Sequence, residues 1–158
     1  DGLNALARLG EWWPRNFPLV LTPHPGEMSR LTGLSIADIQ RDRVEVTRRF
    51  AALWGVVVVL KGAGTVVASP DGRASINSTG GPNLATAGTG DVLSGIVGGL
   101  LAQGRDTWQA AVAGVYLHGE AGDMLRAEQG DIGTIASDLL ETIPLARRSI
   151  LEYDEDVP

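Results

Sequence analysis

"SIADIQRDRVEVTRRFAALWGVVVVLKGAGTVVASPDGRASIN", residues 35 to 77, decides the fold class. Ser35 and Asp38 make a capping box ahead of Ile36, Ile39, Val46, Phe50 and Leu53, which recur at helical spacing until Gly55 closes the helix. The run "VVVVLKG" (56 to 62) follows at once and reads as a strand buried on both faces, the pattern of parallel strands flanked by helices. A helix feeding directly into a buried strand predicts a crossover. Two short β-prone runs around Asp71-Gly72 then predict an antiparallel hairpin over 65 to 77. These elements together predict an α/β layer structure.

Outward from that core, "DGLNALARLGEWW" opens the chain as an amphipathic helix with Leu3, Leu6 and Leu9 on a shared side. "PLVLT" (18 to 22) is a short strand ending at the turn "PHPGE", where Pro23 and Pro25 stop helix continuation and leave His24 just past a strand end. Downstream, the spacing predicts a largely buried helix from about Asp91 to Gln103. A second helix, opened by Asp106 or Thr107, carries Trp108, Val112, Val115 and Leu125, and a last one runs near Ser137 to Ile150. The acidic "LEYDEDVP" (151 to 158) is expected to be a mobile tail. No internal repeat or low-complexity segment interrupts this order. With no initiating methionine and no polar lead-in, the chain reads as a piece of a longer polypeptide.

Composition narrows the partners. At 158 residues and 44% hydrophobic, the chain supports one domain with a real core. Its net charge of -6 argues against nucleic acid and against acidic membrane surfaces, both of which favour a basic face. There are no cysteines and only 2 histidines, which excludes thiolate metal sites and disfavours structural zinc. The longest aliphatic run is too short to span a bilayer. A cytoplasmic protein is expected, with no nucleic acid and no membrane among its partners.

Three stretches carry candidate chemistry. In "TAGTGD" (86 to 91) the small residues expose backbone N–H groups, and the following helix adds the positive end of its dipole, so the loop suits an anion. Asp91 beside those N–H groups fits a general base next to an anion hole. The same residues also fit a tight turn with Asp91 as a helix cap. Leu93 stands where a dinucleotide fingerprint needs its third glycine, and no glycine loop ends in Lys-Ser or Lys-Thr, so neither named phosphate motif applies. "LKGAGT" (60 to 65) sets a lysine and two glycines at the C-terminal end of a buried strand, where open α/β sheets bind ligands; a solvated lysine before a hairpin is the alternative. "TPHPGE" (22 to 27) is a proline-stiffened turn that either fixes His24 and Glu27 for binding or is a rigid polar surface turn. His118 reads as a packed or capping histidine, and Trp12, Trp13, Trp54 and Trp108 read as core or groove fillers.

In that order, "TPHPGEMSRLTG", "VVLKGAGTVVASPDG" and "NSTGGPNLATAGTGDVLSGIVGGLLAQG" closely resemble the ADP- or ATP-dependent NAD(P)H-hydrate dehydratases of the ribokinase-like superfamily. "DGLNALA" and "HGEAGDMLRAEQGDIGTIASDLLETIPLAR" extend the resemblance over almost the whole chain. It implies a three-layer sandwich with a mostly parallel sheet and a β-hairpin. Residues 1–158 would be the C-terminal portion of one such domain, incomplete at its N-terminus. It further implies repair of hydrated NADH or NADPH, in which ADP or ATP with Mg2+ phosphorylates the ring hydroxyl and loss of phosphate restores the cofactor.

Carried over by position, Asp91 is the catalytic base and also contacts the substrate. The N–H groups of Ala87, Gly88, Thr89 and Gly90 form the anion hole. Lys61, Gly62, Ala63, Gly64 and Thr65, with Gly90, line the nucleotide; His24 contacts the hydrated dinucleotide, and Glu27 holds a magnesium-bound water. Family resemblance also implies a homo-oligomer, a tetramer, and an NAD(P)HX epimerase domain fused to or accompanying it. Two other readings stay open: a small-molecule kinase of the same superfamily acting on a vitamin precursor alcohol, and an inactive nucleotide-binding module.

Overall fold

The computed structural model describes residues 2 to 12 and 17 to 155, without side chains at 153 to 155. Two units divide it: one runs up to Asn77 and takes in Asp106–Val112, and the other comprises Ser78–Arg105 and the chain from Ala113 onward.

The first unit is built on a four-stranded sheet. In chain order it holds α1 (Gly2–Arg8), β1 (Val20–Leu21), α2 (Pro25–Thr32), α3 (Ile36–Arg41), α4 (Arg43–Trp54), β2 (Val57–Leu60), β3 (Val66–Ala68) and β4 (Ala74–Ile76). The strands lie in the order β1-β2-β3-β4. β1 and β2 pair in parallel, Val20 opposite Val57, so the stretch from α2 to α4 is the predicted crossover. β2 with β3 and β3 with β4 are antiparallel, Val59 opposite Val67 and Val67 opposite Ser75, which makes the last pair the hairpin expected around Asp71-Gly72. All four residues of β2 are buried, as its aliphatic run requires. Val58, Leu60, Val66 and Ala68 pack with Met28, Ile39, Phe50, Ala51 and Trp54 in one core. Each fully buried Val, Leu, Ile, Phe or Met side chain among these contributes about 1.5–3 kcal/mol through the water it sheds. Trp12 and Trp54 lie 5.4 Å apart by ring centroid, and Phe50 and Trp54 4.9 Å, so these aromatics fill the core as predicted. Trp13 lies outside the described residues.

Several expectations need correction. The helix predicted over 35 to 55 is two helices, because Asp42 (φ -145°, ψ 74°) ends α3 and its carboxylate accepts the Glu45 N–H at 3.1 Å to start α4. The break resets the helical face. Thr47, Phe50, Ala51 and Trp54 turn inward on α4, while Leu53 (52% exposed) and Ile36 (51%) do not. Leu9 lies beyond the end of α1 and is exposed, leaving Leu3 and Leu6 on the core. "PHPGE" is not only a turn: Pro25 opens α2 at its first position, where the missing N–H costs nothing.

The second unit holds a short 3-10 turn (Pro82–Leu84), α5 (Thr89–Ala102), most of α6 (Thr107–Gln129) and α7 (Ala136–Glu155). The Asp106 carboxylate accepts the Gln109 N–H at 2.8 Å, which caps the start of α6 as predicted. α5 is less buried than its composition suggests. Only Thr89, Leu93 and Val97 are buried, and Gly95, Gly98 and Gly99 lie where an added Cβ would meet nothing within 4 Å. Ala121, Leu125, Leu139 and Ala146 form this unit's core, with Leu84, Val92 and Ile143 packed against them. α7 continues through Glu155, into the stretch expected to be mobile, and residues 156 to 158 lie outside the described residues. Among the described residues, no helix is long and apolar enough to cross a membrane.

Candidate active site

In the sheet-bearing unit, three of the predicted residues come together at one end of β1 and β2. Pro23 accepts the Lys61 N–H at 2.9 Å, which ties the exits of the two parallel strands to each other. His24 is the N-cap of α2. Its Nδ1 accepts the N–H of Gly26 at 3.0 Å and of Glu27 at 3.3 Å, while Glu27 Oε2 accepts the His24 backbone N–H at 2.8 Å. This reciprocal capping fixes the ring and, with Nδ1 accepting, leaves the ring proton on Nε2. Half of the His24 side chain remains exposed, and its Nε2 lies 3.6 Å from Glu27 Oε2. Lys61 Nζ lies 3.8 Å from Glu27 Oε2, with both side chains mostly covered. Sequence reasoning paired Glu27 with a metal and missed its part in the cap; the signal was Pro at the first helical position with Glu two residues later.

The loop after β2 is shaped by glycines. Gly62 (φ 142°) and Gly64 (φ 62°) take backbone conformations that side chains disfavour, and Gly62, Ala63 and Gly64 are exposed. Thr65 Oγ1 donates to the Gly62 carbonyl at 3.0 Å and closes the turn.

In the helical unit, Gly88 (φ 90°, ψ -20°) is the N-cap of α5 and Asp91 is its third residue. The Asp91 N–H is taken by the Gly88 carbonyl at 3.0 Å, and the Thr89 N–H points to the Thr86 carbonyl at 3.4 Å. Ala87, Gly88 and Gly90 donate to no backbone or side-chain acceptor among the described residues, so their N–H groups are open donors at a helix N-terminus, the kind of group that suits an anion. The Asp91 carboxylate is exposed and has no hydrogen-bond or ion-pair partner among the described residues. That combination serves a base better than a cap: nothing in the fold occupies its oxygens.

What holds this loop was not legible from sequence. Gly119, Gly122, Asp123 and Arg126 share one face of α6, and the chain over 79 to 84 presses onto it. A Cβ on Gly119 would stand 2.1 Å from Thr79 Oγ1, and one on Gly122 2.7 Å from Leu84. Thr79 donates to the Tyr116 carbonyl at 3.0 Å, the Gly80 N–H reaches Asp123 at 2.7 Å, and buried Asn83 donates to the Gly122 carbonyl at 2.9 Å. Buried His118, packed as expected, places Nε2 3.0 Å from the Thr89 carbonyl, two residues before Asp91. Thr89 Oγ1 in turn donates to the carbonyls of Leu84 and Thr86, each at 2.8 Å.

No group of three or more acidic or histidine side chains that could cage a metal occurs among the described residues. Glu27 meets His24 and Lys61 through Oε2 alone. The donor set therefore fits magnesium only as an ion carried largely by phosphates and water, with a single protein carboxylate in support.

Comparison with known proteins gives a consistent result. The family described as NAD(P)H-hydrate dehydratase matches residues 1–145. The chain is 49% identical over 158 residues to a bifunctional NAD(P)H-hydrate repair enzyme of Moorella thermoacetica, a match covering 99% of this chain and 30% of the relative. Among solved structures it resembles an ADP/ATP-dependent NAD(P)H-hydrate dehydratase from Bacillus subtilis co-crystallized with ATP/Mg2+, with TM-score 0.84 and 38% identity over 87% of this chain and 50% of that one. A ribokinase-like superfamily protein from Enterococcus faecalis matches with TM-score 0.74 and 29% identity, over 92% of this chain and 50% of that one. The fold is thus the ribokinase-like α/β fold, and the chain spans half or less of the length of these proteins.

Proposed function

Because the chain belongs to the NAD(P)H-hydrate dehydratase family, we propose that it supplies the base, the anion hole and the nucleotide loop of an enzyme that dehydrates hydrated NADH and NADPH at the expense of ADP or ATP. Asp91 accepts the proton of the ring hydroxyl as that oxygen bonds to the transferred phosphorus and the nucleotide leaves as the diphosphate or monophosphate. The ring C–O bond then breaks, phosphate departs, a ring proton is lost and the double bond of the reduced nicotinamide returns. The N–H groups of Ala87, Gly88 and Gly90, which have no acceptor among the described residues, meet the phosphoryl charge. Thr89 contributes its fixed geometry more than its own N–H, which already faces Thr86.

Lys61, Gly62, Ala63, Gly64 and Thr65, with Gly90, bind the nucleotide, and the exposed Nε2–H of His24 contacts the hydrated dinucleotide. Magnesium bound with the nucleotide would neutralise phosphate charge, and Glu27 is the carboxylate that would hold it through water. The observation that carries the reading is the exposed Asp91 carboxylate, without a partner among the described residues, in the first turn behind Gly88 and beside three N–H groups without acceptors.

Residues 1–158 are, on this reading, the C-terminal portion of one ribokinase-like domain in a cytoplasmic homo-oligomer, a tetramer. Fusion to an epimerase domain is supported by the word bifunctional in the Moorella relative's name. The test is recovery of reduced-nicotinamide absorbance when hydrated NADH is mixed with the protein, magnesium and ADP or ATP. Recovery that depends on the nucleotide is expected. Transfer of phosphate to a stable alcohol, with no recovery, would replace this reading by the kinase one.

A further inference from the structure

Arg43, the first residue of α4, lies against the loop after β2. Its Nη2 stands 3.0 Å from the Leu60 carbonyl oxygen, 3.3 Å from that of Lys61 and 3.5 Å from that of Gly64, while Nη1 donates to Gln40 at 2.8 Å. One guanidinium thus gathers three carbonyls spread over five residues. Gly62 is packed flat against it: a Cβ there would come within 3.0 Å of Nη1 and 3.1 Å of Nη2. Burial pulls the Arg43 pKa below its ordinary value, but a guanidinium stays charged at any physiological pH.

Peptide planarity gives this arrangement a consequence. In a trans peptide the N–H points opposite to the C=O it shares a plane with. The Leu60 peptide demonstrates it, since its carbonyl faces Arg43 while the Lys61 N–H reaches Pro23 at 2.9 Å. By the same rule, drawing the Lys61 and Gly64 carbonyls toward Arg43 aims the N–H groups of Gly62 and Thr65 the other way. Two outward N–H groups on one short loop, backed by a fixed positive charge, suit a phosphate. Without Arg43, an exposed loop with two left-handed glycines has little to keep its carbonyls from turning outward, toward the anion.

We infer that Arg43 is the positioning residue of the nucleotide loop: by gathering the carbonyls of Leu60, Lys61 and Gly64 it turns the Gly62 and Thr65 N–H groups outward to bind nucleotide phosphate. This rests on the reading of residues 61 to 65 as the nucleotide loop, and the experiment separates the two. ADP affinity is measured by calorimetry for the wild type, R43K and R43M, alongside amide hydrogen exchange at Gly62 and Thr65 with and without ADP.

The expected result is slowed exchange at both amides on ADP binding in the wild type. ADP binding by R43M is expected to be weaker by about tenfold or more, the scale of a lost charge-assisted contact, with R43K in between because an ammonium keeps the charge but not the fork. The KM for hydrated NADH should stay near the wild-type value in both variants, which a general loss of structure would not allow. If the wild-type amides are protected but both variants bind ADP as the wild type does, the role of Arg43 is overturned and the nucleotide loop stands. If ADP binds without slowing exchange at Gly62 and Thr65, the nucleotide-loop reading fails and this inference with it. Should R43M not fold, R43K decides alone: weakened ADP binding supports the role and unchanged binding overturns it.

Discussion

Replacing Asp91 by asparagine separates chemistry from architecture, because the structure assigns the two very different sizes. The carboxylate is exposed and has no partner among the described residues, so no hydrogen bond of the fold is lost with it. Its one structural contribution is a negative charge in the first turn of α5, and favourable charge at a helix N-terminus is worth about 0.3–1 kcal/mol. The expected stability change is therefore at most about 1 kcal/mol. Turnover should fall far more. An amide cannot accept the hydroxyl proton, and a positioned base contributes about 10²–10⁴-fold. That loss corresponds to about 3–5 kcal/mol on the barrier. The assay is the initial rate of reduced-nicotinamide recovery from hydrated NADH under saturating nucleotide, with the unfolding midpoint and ADP affinity measured on the same preparation. Near-wild-type turnover in the asparagine variant would refute Asp91 as the base. A turnover loss that travels with lost ADP affinity or a large drop in the unfolding midpoint would refute the separation of roles.

Gly119→Ala should destabilise the helical unit, because the new Cβ would stand 2.1 Å from Thr79 Oγ1 and 2.7 Å from the Thr79 carbonyl carbon, and backbone cannot swing aside as a flexible side chain does. Overpacking of this kind costs at least about 1–3 kcal/mol, read as a lower denaturant midpoint, and an unchanged midpoint would mean that the loop does not press on α6. At the hairpin tip, hydrogen bonds from Arg73 and then Ser69 hold the Asp71 carboxyl below its ordinary value of 3.8. A depressed folded-state pKa gives stability that is present above the ordinary carboxylate range and is lost as the pH falls through the folded-state value. Asp71→Asn should therefore flatten the acid-side decline of the thermal midpoint, and an equally steep decline would remove Asp71 from the acid sensitivity.

Much of this protein follows from local sequence. The all-aliphatic run before Lys61 has no polar face to show water and becomes the buried strand β2; Asp71-Gly72 supplies the turn of the hairpin; Asp106 caps α6 with its own side chain. The bare stretch of Ala87 to Gly90 leaves backbone N–H groups open because small residues expose backbone whatever surrounds them. These signals sit within a turn or two of the residues they govern, so they survive without knowledge of the fold.

Only tertiary structure decided the rest, because it depends on which distant group arrives. The cap of α2 is the local exception, since His24, Pro25 and Glu27 lie within four residues and read as a helix start. Arg43 lies 17 to 21 residues from the carbonyls it gathers, and His118 lies 29 from the one it holds. Nothing in helical or strand periodicity distinguishes those two side chains from other charged or buried ones. The single carboxylate of Asp42 breaks one predicted helix into two and rotates the inward face onto Thr47 and Trp54, away from Leu53. Periodicity sets which residues can face a core; the close approach of chain segments far apart in sequence sets which polar atoms find partners, and that pairing is what shapes the site.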